Sequence, residues 1–150
     1  MRHLLQRPET REERRASGVS VPPGPVYVRE QAFQAFSILR IGFAALPILA
    51  GLDKFFHALT DWNQYLAPAV FRAIGGHVRG FMDLVGVIEM AAGVLVAVRP
   101  RWGSPIVGLW LCGIIVNLLL IPGYYDVALR DFGLALGALS LFRLSRQYDP

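Results

Sequence analysis

From about Phe33 onward, the chain alternates long apolar runs with short polar breaks, and this rhythm predicts helices that cross a membrane. A bilayer core of about 30 Å requires roughly 20 helical residues. The runs predict spans at about 33–56, 81–98, 104–122 and 127–142. The first, centred on AFSILRIGFAALPILAGL, is interrupted by Arg40 and by Pro47, which should kink it. The second, FMDLVGVIEMAAGVLVAV, carries Asp83 and Glu89 and ends at Arg99-Pro100-Arg101. Trp102 to Gly123 holds no charge; Ser104-Pro105 suits a cap and first helical position, and Pro122-Gly123 closes the run. The fourth has Asp126 as its expected cap and Arg143 at its exit. The expected fold is all-α and integral to the membrane. It is a bundle of four transmembrane helices over residues 31–146, with residues 147–150 as a C-terminal tail.

Between the first two spans, HALTDWNQYLAPAVFRAIGGHVRG mixes aromatic and polar residues, as expected for a segment lying at the interface. Asp61 with Gln64 three residues on predicts a short interfacial helix, which Gly75-Gly76 would break.

Residues 1–30 differ in kind, holding six Arg and four Glu, with a proline-rich stretch from Pro22 to Pro25. They read as a flexible or partner-bound cytoplasmic tail. Across the whole chain 54% of residues are hydrophobic and 17% charged, below the quarter usual in soluble domains. Ten basic residues fall in the tail, the Arg99–Arg101 loop and the C-terminus. Both termini should therefore face the cytoplasm, in a bacterial inner membrane.

The net charge of +4 does not mark a nucleic-acid binder, because the arginines gather at the tail and loops rather than on one aromatic-laced face. The single Cys112 excludes an intrachain disulfide, a CxxC redox pair and a thiolate zinc site. His57 and His77 flank the outer loop and make a poor haem pair, and no metal site or covalently bound cofactor is expected. No phosphate loop or Ser–His–Asp arrangement is evident.

The ionisable residues within the spans carry the functional interest, since each costs several kcal/mol unless paired or solvated. Counting about 1.5 Å per residue from the ends of the runs places Arg40, Glu89 and Asn117 at similar depth, an expected mid-membrane cluster. Asp53, Lys54, His57, Asp83, Arg130 and Asp131 form an expected outer layer. Arg40 and Lys54, fourteen residues apart, share a helical face. These groups could lock helices together, or bind a ligand or relay protons. Gly133-x-x-x-Gly137, Gly86 and Gly93 read as small-residue packing positions.

The order of features resembles the DoxX-like membrane family. The matching elements are Arg40 early in the first helix, Gly51-Leu52-Asp53-Lys54-Phe55 at its end, and Glu89 followed by Gly93. Ala128-Leu129-Arg130-Asp131-Phe132-Gly133-Leu134 then opens the last helix. The resemblance covers about residues 33–144. It implies a four-helix bundle, but no residue to carry over as catalytic. One branch, DoxD, is a membrane subunit of a thiosulfate:quinone oxidoreductase; other relatives are linked to redox-stress complexes, and a distant eukaryotic branch to cargo export. The functional expectation is an accessory, non-catalytic subunit of a larger redox or energy-converting complex, respiratory or photosynthetic, near quinone. Its partners would be the lipid bilayer and other membrane-protein subunits. The alternatives are the membrane half of a quinone-linked oxidoreductase and a small-solute permease.

Overall fold

The computed structural model describes residues 25–148, which are helical with short connections and no strand among the described residues. Two compact units divide the chain, Met1–Gln31 and Ala32–Pro150; of the first, residues 25–31 are described, as the opening turns of a helix.

That helix, α1 (Pro25–Phe56), begins eight residues before the expected start at Phe33. The tail expected over residues 1–30 is therefore corrected at its end. Pro25 opens the helix, because proline's fixed φ suits a first turn whose N–H groups have no helical acceptor. Residues 1–24, the rest of that expected tail, lie outside the described residues, as do 149 and 150. The helix runs unbroken through Pro47, whose missing N–H leaves the Phe43 carbonyl without its usual partner.

His57 ends α1 with a φ of 52°, a left-handed conformation uncommon outside glycine. A single turn of 3-10 helix follows at Trp62–Tyr65, then α2 (Pro68–Ala73). The Asp61 side chain caps the 3-10 turn by accepting from the Asn63 N–H. Gly75 and Gly76, with φ of 60° and 78°, then turn the chain after α2.

The long helices that follow are α3 (Val78–Val98), α4 (Pro100–Leu119) and α5 (Tyr125–Tyr148). Arg99 alone joins α3 to α4. Pro100, not Pro105, takes the first-turn position of α4. Ser104 is no cap: it is buried one turn inside, and its hydroxyl donates to the Pro100 carbonyl. A connection this short forces close approach, and a Cβ on Gly103 would lie 2.5 Å from the Val96 nitrogen.

One apolar cluster draws on all four long helices: Phe36 and Phe43 of α1, Ala92 and Val96 of α3, Val107 of α4, and Ala138 and Leu141 of α5. Helices α1 and α3 touch through small residues. A Cβ on Gly51 would meet the Gly86 carbonyl at 2.5 Å, one on Gly86 the Gly51 carbonyl at 2.7 Å, and one on Gly93 the Ala44 carbonyl at 2.6 Å. Gly137 of α5 faces the Phe43 ring, whereas Gly133 has open space beside it. The pair therefore contributes one packing glycine, not two.

Outside the bundle, large apolar side chains such as Ile38, Ile41, Leu109 and Leu129 are strongly exposed, the reverse of a soluble surface. Three helical segments are long and apolar enough to cross a membrane: Val26–Phe56, Val78–Val98 and Pro100–Leu119. The chain is thus a multi-pass membrane protein. Helix α5 lacks the composition of the other three, because Arg130 and Asp131 near one end and Arg143 and Arg146 near the other shorten its uncharged stretch to Phe132–Phe142.

Candidate functional site

Several polar residues of the bundle form a network at the end where α1 gives way to the loop before α2. Its centre is Lys54, whose Nζ donates to Glu89 Oε2 at 2.5 Å, with both residues buried. Glu89 Oε1 also accepts from Trp110 Nε1 at 3.4 Å. The Trp62 ring covers the other side of the ammonium, 3.8 Å from Nζ to its centroid. Such a contact stabilises a cation most where water is excluded. Pairing Lys54 with one carboxylate and one aromatic face offsets part of the cost of holding a charge in apolar surroundings.

Trp62 is fixed in turn by Asp53, whose Oδ2 accepts from Trp62 Nε1 at 2.8 Å. The other oxygen of Asp53 accepts from the Ala58 and Leu59 N–H groups at 2.9 and 3.0 Å. This one buried carboxylate satisfies the backbone freed where α1 ends, and so supports the left-handed residue His57 between them. At the far side of the loop, Asn117 Oδ1 accepts from the Ala67 N–H at 3.0 Å and Asn117 Nδ2 donates to the Tyr65 carbonyl at 2.5 Å. Tyr65 and Tyr124 pack edge to face at 5.2 Å, and Tyr124 donates to Gln64 at 3.2 Å. The loop from Ala58 to Ala67 is therefore clamped at both ends over the buried ion pair.

The expected cluster of Arg40, Glu89 and Asn117 does not form. Arg40 instead donates through Nε and Nη2 to the Ala97 carbonyl, at 3.2 and 2.5 Å. That carbonyl is in the last turn of α3, where helical partners run out. Glu89 is eight residues from Ala97, about 12 Å along the helix, too far for a guanidinium held at the helix end. Depth counted from the ends of the apolar runs assumes that the helices finish in one plane. The true register is set by the glycine contacts, which place Arg40 beside Ala97 and Gly51 beside Gly86. Asn117, seven residues beyond Trp110, is likewise about 10 Å from the level of Glu89.

Of the expected outer layer, Asp53 and Lys54 join the network as described. His57 is exposed and serves the turn. Asp83 is half-buried on α3. Asp131 is buried on α5, and its neighbour Arg130 reaches back to it at 3.5 Å while staying largely exposed. Six residues thus do not form one site. Sequence reasoning misses Trp62, which sits in the segment expected at the interface, and Trp110; no signal in the sequence tells an inward tryptophan from an interfacial one.

Among the described residues, no three His, Cys, Asp or Glu side chains gather as a metal site would require. Comparison of the chain with protein-family models, with curated proteins and with solved structures gave no match.

Proposed function

We propose that the protein is an accessory, non-catalytic subunit of a larger redox or energy-converting complex in the bacterial inner membrane. The observation that carries this reading is that four charges within the bundle are committed to the fold. Lys54 and Glu89 neutralise each other, Asp53 holds the outer loop, and Arg40 closes the end of α3. A quinone headgroup or a transported solute would have to break one of these contacts to use these charges. The resemblance to the DoxX-like family rests on the sequence motifs alone and is the reason for naming a redox complex. The quinone-linked oxidoreductase and the permease remain the alternatives that the experiment below distinguishes.

In this reading α5 is the fourth span. It packs against α4, and its buried residues, Ala128, Asp131, Ala138, Leu141 and Ser145, face inward. Arg130 and Arg143 are thirteen residues apart, about 20 Å of helix, and long arginine side chains extend that reach by turning their heads toward water. Four spans put both termini on one side, and the ten basic residues make that side the cytoplasm.

Gentle extraction of the tagged chain from its native membrane, followed by sizing and identification of what travels with it, tests the reading. A defined assembly with other membrane subunits is the expected result. A chain that runs alone and reduces quinone from a supplied donor would replace this reading with the oxidoreductase one. Solute flux in proteoliposomes would support the permease.

A further inference from the structure

A groove of about 320 Å³ lies between α4 and α5 at the end remote from the polar network, lined by Arg101, Trp102, Pro105, Phe142 and Arg146. We propose that it binds the phosphate headgroup of an anionic phospholipid. This rests on the membrane reading of α4 and α5, and is independent of any partner complex.

Arg101 and Trp102 are in the first turn of α4 and Pro105 is one turn further, while Phe142 and Arg146 are one turn apart near the end of α5. Two arginines, one from each helix, therefore flank a groove whose walls are aromatic rings and a proline. Guanidinium groups bind phosphate oxygens with paired N–H donors. Trp102 is 66% exposed, as befits a ring at headgroup level.

A free phosphate would use only the arginines. A lipid would also use what continues from them. Helical spacing carries the groove face of α4 on to Ile106 and Leu109, and that of α5 back to Leu139, all well exposed. A polar head held at the rim would lay an acyl chain along this apolar stripe. The surroundings also match: Arg99 and Arg143 lie at the same end, and basic clusters between spans at the cytoplasmic face favour anionic headgroups.

The test uses the full chain in neutral detergent with phosphatidylglycerol, phosphatidylcholine or inorganic phosphate, read by native mass spectrometry and by the shift in melting temperature. Phosphatidylglycerol should form a one-to-one adduct and raise the melting temperature; phosphatidylcholine and inorganic phosphate should do neither at the same concentration. Each arginine is expected to contribute about fivefold to the preference, so Arg101→Gln with Arg146→Gln should lower it roughly 25-fold. Arg72→Gln with Arg79→Gln, in α2 and the first turn of α3 at the opposite end of the bundle, should leave it intact. Should the first double variant fail to fold, Arg146→Glu alone, at an exposed position, should abolish the adduct. Equal binding of the two lipids, an equal effect of inorganic phosphate, or an unchanged preference in Arg146→Glu would overturn the proposal. None of these outcomes bears on whether α5 crosses the membrane, which is decided by labelling from the two sides.

Discussion

Lys54 and Glu89 are 35 residues apart in sequence, yet their charged atoms meet at 2.5 Å in the interior of the bundle. The contact joins α1 to α3 one turn from the place where Gly51 and Gly86 let the two backbones touch. Close backbone approach and charge pairing reinforce each other: without the glycines the ammonium and carboxylate would stand further apart, and without the pair two charges would be stranded in apolar surroundings.

Widening the glycine contact should therefore be costly. Gly51→Val and Gly86→Val each place a branched side chain against a carbonyl that a single Cβ would already meet at 2.5 or 2.7 Å. Overpacking of this kind costs about 1–3 kcal/mol. Both variants should melt at lower temperature in detergent. Gly133→Ala, with open space beside it, should melt like the parent protein.

The loop from Ala58 to Ala67 should loosen when its clamp is removed. Asn117→Ala deletes the acceptor for Ala67 and the donor to Tyr65, a loss of about 1–3 kcal/mol where a buried partner is left unsatisfied. Hydrogen exchange should rise across the loop from Ala58 to Ala67 and remain unchanged in α4 near Val107. Equal exchange in both proteins would show that the loop is held by something else.

Arg40 should matter at one helix end rather than at mid-membrane. Arg40→Leu leaves the Ala97 carbonyl without its side-chain donors, so exchange should increase in the last turn of α3. The Lys54–Glu89 pair should be unaffected. Loss of stability centred on Glu89 would restore the cluster expected from sequence.

The proposal that α5 is a fourth span carries a topology that can be tested. In a Cys112→Ser background, Asn63→Cys should react with an impermeant thiol reagent from outside, and Gln147→Cys should react only after the membrane is opened. Labelling of both positions from the same side would refute the assignment of α5 as a span, and the reverse pattern would invert the orientation.

Much of this architecture was legible in the sequence. The apolar runs gave every long helix, and Gly86 and Gly93 stood out as packing positions because small residues at helical spacing imply close approach. Boundaries were less legible. Pro25 and Pro100 read as breakers, yet both open helices, since a missing N–H costs nothing in a first turn. The pairing of charges was harder still. Depth counted from run ends assumes that helices finish in one plane, whereas register depends on which small residues meet. Arg40 consequently looked opposite Glu89 when it is beside Ala97. The inward turn of Trp62 depends on Asp53 accepting from its ring N–H, a contact between an aspartate and a tryptophan nine residues on, with no periodic signature.

The claim that the bundle's charges serve the fold is tested most directly by a double-mutant cycle on Lys54 and Glu89, with melting in detergent as the readout. Lys54→Leu or Glu89→Leu alone strands the opposite charge, and breaking a buried pair in this way costs about 3–5 kcal/mol. The double variant replaces both charges with apolar groups and should recover much of that loss, leaving a strongly non-additive cycle. If the two losses simply add, or if either single variant melts like the parent protein, the pair is not a structural lock and Glu89 is free to serve a ligand or a proton.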